Sequence, residues 1–251
     1  MDLVLTAEGP ARVLTVHRPH RKNALDLSTL RAFKAMARDL RRDKEARGVI
    51  LTGSPEGGVF LSGGDLRALE GVRTARAARS LALDAHAAVD ALLATGLPLL
   101  AAIHGDAFGG GCELAAACDL RVCEAQARFH WVQVRFGVTT GWGGAARLLE
   151  LVPRGVALRW LLTGQPVEAR EARDVGFVEV LCARGEALAE AVGLVRAIAR
   201  SPRRSVARML RLLRETPRLD RAGALGLELD LFGRGWASKE HRDAVAAFLR
   251  R

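Results

Sequence analysis

The chain has 251 residues, 49% hydrophobic and 26% charged, a composition typical of one or two globular domains with a sizeable core. Its formal charge of +10 comes almost entirely from arginine, with 34 Arg against 4 Lys. Such a surface attracts polyanions, either nucleic acid or a ligand with several phosphates. The four cysteines lack C-x-x-C spacing, and no apolar run is long enough to cross a membrane. We therefore expect reduced thiols, no metal site, no membrane attachment and a cytoplasmic location.

In chain order, hydrophobic patterning predicts strands that alternate with helices, followed by a helical C-terminal part. Either Asp26 or Ser28 can cap the first helix. The predicted strands cover residues 3–6, 13–16, 48–52, 99–103 and 120–122. The predicted helices cover residues 29–44, 74–95, 112–117, a segment ending at 151, then 156–162, 168–175, 186–200 and three segments from 205 to 251. The fold class is therefore α/β, with helices collected at the C-terminus.

Residues 98–119, PLLAAIHGDAFGGGCELAAACD, are the most informative stretch. A buried strand leads into three consecutive glycines and then directly into an alanine-rich helix. Glycine has no Cβ, so another molecule can approach the backbone N–H groups, which at a helix N-terminus favour negative charge. Glu113 lies one turn into this helix. The arrangement suits an oxyanion site, although the same turn also occurs as tight packing alone; no Gly-Lys-Ser/Thr follows to indicate a phosphate loop.

Four stretches together resemble the crotonase superfamily, also called the enoyl-CoA hydratase/isomerase family. They are Asn23-Ala24-Leu25, FLSGGDL at 60–66, HGDAFGGGCEL at 104–114 and GWGG at 141–144. TGQPVEAREA at 163–172 and GFV at 176–178 also match, so the resemblance covers nearly the whole chain in the expected order. It implies a spiral of ββα turns over residues 1–200, a C-terminal helical region over 201–251, and a homotrimer or dimer of trimers.

The resemblance also implies the ligand and its contacts. The ligand is an acyl-CoA thioester that carries its own coenzyme A, so no separate cofactor is expected. Its carbonyl oxygen would be held by the N–H groups of Gly64 and Gly110. Its nucleotide would lie near Lys22 and Ala24 and near Asp65, Leu66 and Arg67, where cations suit the phosphates. Asn23 in the same loop is interpreted as structural.

The reaction is less well determined than the family. Hydratases of this family use two glutamates as general acid and base. Glu113 matches the first, but Gln133 occupies the second position, and a glutamine transfers no proton at pH 7. Hydration is the leading prediction. Decarboxylation of a malonyl-type thioester is the first alternative, since Trp142 in the GWGG turn is similar to the ethylmalonyl-CoA decarboxylase branch.

Two further alternatives are an enoyl-CoA isomerase and a non-catalytic binder of acyl-CoA or RNA. The isomerase is disfavoured because such relatives usually depend on an acid at the position of Gln133. Cations recur along the helix predicted at 29–44, but acidic residues interrupt them and no aromatic side chains interleave for base stacking. Nucleic acid is therefore an unlikely partner.

Overall fold

The computed structural model describes residues 2–250, which form two β-sheets and ten α-helices. The strands are β1 (Leu3–Glu8), β2 (Ala11–Val16), β3 (Gly48–Gly53), β4 (Val59–Leu61), β5 (Leu99–Ile103), β6 (Asp106–Phe108), β7 (Leu120–Glu124), β8 (Arg128–His130), β9 (Pro166–Glu168) and β10 (Val180–Cys182). The helices are α1 (Leu27–Arg42), α2 (Ala75–Leu93), α3 (Gly110–Ala117), α4 (Gly144–Leu151), α5 (Arg154–Thr163), α6 (Ala169–Asp174), α7 (Ala187–Ile198), α8 (Arg203–Glu215), α9 (Arg221–Trp236) and α10 (Lys239–Phe248).

The larger sheet has the order β1-β2-β3-β5-β7-β10 and is parallel except for the β1–β2 hairpin. Its strands β3 and β5 are buried along their whole length because both faces of the sheet are covered. Ile50 faces a core under α7, whereas Val49 and Leu51 face the larger core that contains α1 and α2. The strands predicted over residues 3–6, 13–16, 48–52, 99–103 and 120–122 are confirmed as β1, β2, β3, β5 and β7.

The smaller sheet, in the order β4-β6-β8-β9, positions the candidate site. Its strands β4, β6 and β8 are parallel, and each is three residues long. Gly64 follows β4, Gly110 follows β6 and Gln133 follows β8. Because these strands are parallel, all three residues lie at the same edge of the sheet, beyond the carboxyl ends of the strands. The interpretation of the chain after residue 156 as wholly helical was wrong, because β9 and β10 lie in it.

The chain passes repeatedly from the larger sheet to the smaller sheet and then into a helix. The three passes are β3-β4-α2, β5-β6-α3 and β7-β8-α4, which is the spiral of ββα turns expected from the resemblance. Helices α8, α9 and α10 then form the expected C-terminal helical region. Within residues 2–250, no helix is both long and apolar enough to cross a bilayer.

The loop before α1 is held by buried polar contacts. Asn23 is fully buried, and its side chain accepts from the Arg18 N–H at 3.2 Å and donates to the carbonyls of Ser54 at 2.9 Å and Val59 at 2.8 Å. Its backbone is left-handed, with φ of 54°, a conformation that Asn tolerates better than most residues. Asp26 rather than Ser28 caps α1, accepting from the Thr29 N–H at 2.8 Å. Asn23 therefore fixes the loop.

We expect Asn23→Ala to lower the free energy of unfolding by about 2–4 kcal/mol, because the two carbonyls and the Arg18 N–H lose their partner inside the protein. Urea denaturation measures this change. Asn23→Gly relieves the left-handed backbone but loses the same hydrogen bonds, so it should be destabilised as well. An Ala variant within about 0.5 kcal/mol of the wild type, the usual range of surface substitutions, would contradict the structural role.

Candidate active site

Two glycine turns meet at the edge of the smaller sheet. Gly63 has a φ of +85°, and a Cβ on it would lie only 2.7 Å from the Gly110 nitrogen. The turn after β4 can therefore approach the N-terminus of α3 only because residue 63 has no side chain. Within residues 2–250, neither the Gly64 N–H nor the Gly110 N–H donates a hydrogen bond to the protein. Two unpaired donors thus lie on adjoining turns that are 46 residues apart in sequence.

The Glu113 side chain lies next to these turns and is buried, with 3% of its surface exposed. The GWGG turn wraps around its carboxylate. Oε2 accepts from the N–H groups of Trp142 at 2.7 Å and Gly144 at 2.9 Å, and Oε1 accepts from the Gly141 N–H at 3.3 Å. Four acceptor positions on a carboxylate suit such a set of donors. The turn therefore fixes the carboxylate in one orientation.

Gln133 completes the contacts of Glu113. Its Nε2 donates to Glu113 Oε1 at 2.9 Å. Its own Oε1 is buried and has no hydrogen-bond partner within residues 2–250. A buried amide oxygen without a partner is costly, so this atom is suited to accept from a small donor in the site. Glu113 and Gln133, predicted from the sequence to share one site, do lie together.

The Trp142 indole covers the glycine turns. A Cβ on Gly110 would lie 2.4 Å from Cζ3 of Trp142, and a Cβ on Gly64 would lie 3.7 Å from its Cζ2. The six-membered ring therefore packs against both Gly64 and Gly110, and 7% of the residue is exposed. Leu69 packs beside it, with its Cδ1 3.0 Å from the same position on Gly64. Trp142 thus contributes its backbone to the Glu113 contacts and its side chain to the wall above the glycines.

Arg147 was missed by the sequence reasoning. It lies in α4, and its Nη1 donates to the Trp142 carbonyl at 2.7 Å, which fixes the GWGG turn from the side opposite Glu113. Burial lowers the pKa of Arg147, although the carboxylates of Asp90 and Glu113 act in the opposite direction. The sequence feature that could have indicated this role is a cation in the first turn of the helix that follows GWGG. Arg147 is a positioning residue, since it acts through the turn.

Cys112, next to Glu113 in sequence, is fully buried and packs in the core. Burial raises the pKa of the Cys112 thiol. A neutral thiol is a poor nucleophile. Cys112 therefore has a packing role.

The residues expected near the nucleotide form a second group beside the first glycine turn. The Leu25 N–H donates to the Gly63 carbonyl at 2.7 Å, which joins the Lys22–Ala24 loop to that turn. Lys22, Leu66 and Arg67 are exposed, and within residues 2–250 neither cation forms an ion pair. Ala24 is buried, and its carbonyl accepts from Arg18 Nη1 at 2.7 Å.

The Asp65 carboxylate is turned inward. It pairs with Arg18 at 3.1 Å and accepts from the backbone N–H groups of Arg67 and Ala68. The Asp65 backbone is engaged as well, because its N–H donates to the Leu25 carbonyl at 2.8 Å and its carbonyl accepts from the Leu69 N–H at 3.0 Å. Its contact with substrate, like those of the other residues in this group, stays a prediction.

The fold and the site geometry agree with the comparisons with known proteins. The family model described as enoyl-CoA hydratase/isomerase matches residues 8–251. The chain therefore belongs to the enoyl-CoA hydratase/isomerase family, the crotonase superfamily.

Named relatives resemble the chain over almost its whole length. It is 31% identical over 248 residues to a short-chain-enoyl-CoA hydratase of Clostridium acetobutylicum, covering 99% of this chain and 94% of that protein. It is also 31% identical to a crotonyl-CoA hydratase of Syntrophomonas wolfei, covering 99% and 95% of the two chains. The crystal structure of an enoyl-CoA hydratase from Mycobacterium smegmatis superposes with a TM-score of 0.93 at 27% identity, covering 100% of this chain and 96% of that one.

Proposed function

We propose that this protein adds water to short-chain 2-enoyl-CoA thioesters and uses Glu113 as its one proton-transferring carboxylate. The observation that carries the proposal is the position of the Glu113 carboxylate, held by the GWGG turn beside two unpaired N–H groups. Family membership and the names of the two relatives support it. The substrate carries its own coenzyme A, so the reaction needs no separate cofactor.

In the proposed mechanism, the thioester oxygen accepts from the N–H groups of Gly64 and Gly110. Glu113 removes a proton from water while the water oxygen bonds to C3 of the enoyl group. The electron pair of the C2–C3 double bond moves toward the thioester, and the resulting enolate charge is stabilised by the two N–H groups. Glu113 then returns the proton to C2. Water adds across the double bond, and the enzyme ends in its starting protonation state.

Gln133 orients the water in this mechanism. Because its Nε2 is committed to Glu113, the free amide atom is the acceptor Oε1. A water molecule can donate one hydrogen to Gln133 Oε1 and the other to Glu113 Oε1, where it would take the place of the longest contact of the carboxylate, the 3.3 Å bond from the Gly141 N–H. The charged carboxylate of a malonyl-type substrate offers no hydrogen to either atom, and Glu113 would repel it. The unpartnered oxygen therefore favours hydration over decarboxylation.

Decarboxylation remains the second candidate because Gln133 is neutral. Loss of carbon dioxide needs stabilisation of the enolate and little proton transfer, so a single carboxylate suffices. Assays on crotonyl-CoA and ethylmalonyl-CoA separate the two candidates. We expect loss of the conjugated thioester absorbance with crotonyl-CoA and no carbon dioxide from ethylmalonyl-CoA. The opposite result would replace hydration with decarboxylation.

Lys22 and Arg67 are proposed to attract the phosphates of coenzyme A. We expect Lys22→Ala and Arg67→Ala each to weaken CoA binding by up to about fivefold, the range of exposed charge pairs. The loss should be larger at low ionic strength, where screening is weakest. Calorimetric titration with free CoA measures it.

Lys44→Ala is the matched control for this charge loss. Lys44 is exposed and lies before β3, at the edge of the larger sheet where that strand starts. It should leave CoA affinity unchanged. Equal affinities for all variants at low salt would contradict the proposed role of Lys22 and Arg67.

We also propose a homotrimer or a dimer of trimers in the cytoplasm. One face of α9 supports assembly, because its large apolar side chains recur at helical spacing and are exposed. These are Leu225 at 56%, Leu229 at 62%, Phe232 at 62% and Trp236 at 60%. Light scattering should give three or six times the 27.0-kDa chain mass. A monomer at micromolar concentration would contradict the proposal.

Four free cysteines are consistent with a reducing compartment such as the cytoplasm.

A further inference from the structure

We infer that the Trp142 indole limits the size of the acyl group, so that this protein takes short acyl chains and excludes long ones. The inference rests on the proposed function, because it assigns the acyl class for the same site. Its basis is the packing of one side chain against both glycines whose N–H groups would hold the thioester oxygen.

The Trp142 ring lies against both glycines. A Cβ on Gly110 would lie 2.4 Å from Cζ3, 2.6 Å from Cε3 and 2.8 Å from Cη2, so the six-membered ring of the indole packs closely over that glycine. A Cβ on Gly64 would lie 3.7 Å from Cζ2 of the same ring. A thioester held between the two N–H groups therefore has the indole as its immediate neighbour.

Contacts on several sides hold Trp142 in place. The Trp142 N–H donates to Glu113 and the Trp142 carbonyl accepts from Arg147, so the backbone of this residue is fixed on both sides. Leu69 on one turn and Gly110 on the other confine the side chain. The indole is largely buried in the core cluster, at 7% exposure. A long acyl chain would have to displace a packed ring, whereas a short chain would not.

The alternative is that Trp142 only fills the core. Trp131 and Trp160 have that role, since both are fully buried, both pack edge-to-face with Phe177, and neither is among the atoms nearest to Gly64 or Gly110. Trp142 differs because the surfaces it covers belong to the two unpaired donors. The Trp142 side chain also makes no hydrogen bond to Glu113, whose donors are the backbone of the GWGG turn and Gln133 Nε2.

That separation makes Trp142→Ala a clean test. The substitution keeps the N–H that holds Glu113 and removes only the ring. The measurement is the dissociation constant of two unreactive saturated thioesters, butyryl-CoA and decanoyl-CoA, each divided by that of free CoA. Since each methylene in an apolar pocket is worth roughly tenfold or more, we expect W142A to improve decanoyl-CoA relative to butyryl-CoA by at least about tenfold. W142F, whose smaller ring still covers Gly110, should shift the same ratio less.

An unchanged ratio in W142A overturns the size limit, and if the wild type still hydrates crotonyl-CoA then the proposed function survives. A shifted ratio in a protein that does not hydrate crotonyl-CoA supports the size limit and rejects hydration. If neither thioester binds W142A more tightly than free CoA, the size limit is rejected, and the crotonyl-CoA assay still decides whether the proposed function holds. If W142A does not fold, W142F must still shift the ratio toward decanoyl-CoA, and a constant ratio there rejects the size limit.

Discussion

Replacing Glu113 by Gln is expected to abolish hydration of crotonyl-CoA, with a fall in kcat of about 10²–10⁴-fold or more, the usual contribution of a positioned acid–base group. The Asp65 carboxylate beside the first glycine turn is paired with Arg18, whereas Glu113 contacts Gln133 and the GWGG turn, so both proton transfers are assigned to Glu113. Crotonyl-CoA should still bind, because the N–H groups of Gly64 and Gly110 are unaffected. Steady-state assays, together with titration of the unreactive butyryl-CoA, measure the two quantities separately.

The substitution also has a structural cost. Both Glu113 oxygens accept from N–H groups, so the new amide NH₂ would face donors whichever way it turned. Glu124→Gln is the matched control, since Glu124 is also buried and accepts from Gln126, Gly185 and Ala187. Both variants should lose about 1–3 kcal/mol of unfolding free energy. If E124Q lost as much activity per folded molecule as E113Q, the catalytic role of Glu113 would be rejected.

Much of the site could be predicted from sequence because its parts are local. Three glycines followed by an alanine-rich segment define the N-terminus of α3 through composition alone, and Glu113 is fixed by its place in that helix. The cap at Asp26 is likewise local, although the sequence left Ser28 open. Helix periodicity located α1 and α2 to within about two residues at each end, as is usual for such boundaries.

The smaller sheet could not be predicted, and the reason is physical. Strands of three residues, such as β4, β6 and β8, are too short to display an alternating pattern. Their pairing depends on neighbours brought together by the spiral. Yet these strands bring Gly64, Gly110 and Gln133 to one edge of the smaller sheet. Sequence therefore identified the residues of the site, and the resemblance rather than the periodicity indicated that they meet.

Long-range polar contacts were also outside the reach of sequence reasoning. Arg18 pairs with Asp65 across 47 residues, which turns the Asp65 carboxylate away from the solvent. Arg147 acts on the carbonyl of a residue that itself holds Glu113. Neither arginine stands out among the 34 in the chain. Such roles follow from the folded structure, because each depends on where the accepting carboxylate or backbone carbonyl lies.

Replacing Gln133 by Glu is expected to raise hydration of crotonyl-CoA by about 10²-fold or more, since it supplies the second acid–base group. Gln133 Nε2 lies 2.9 Å from Glu113 Oε1, and two carboxyl groups at that separation cannot both ionise. The pair must share one proton, which gives the site an acid and a base at once. Gln126→Glu is the matched control, because Gln126 Nε2 donates to the buried Glu124 at 2.6 Å in the same way. It should create a carboxyl pair elsewhere and leave hydration unchanged.

The pH dependence of Gln133→Glu supplies an independent readout of the shared proton. In the unfolded chain a glutamate has a pKa of about 4.3, whereas the native pair retains its proton to higher pH. The unfolded state therefore releases a proton that the native state keeps, and the variant should lose stability relative to the wild type as pH rises above about 4.3, until the native pair also ionises. Hydration should decline above the raised pKa of the pair, because the acid form is then lost. If the variant shows this stability profile but hydration stays at background, while the wild type releases carbon dioxide from ethylmalonyl-CoA, then the site is not that of a hydratase. In that case the neutral amide of Gln133 is what the reaction requires, because a second anion would repel both the substrate carboxylate and the developing enolate.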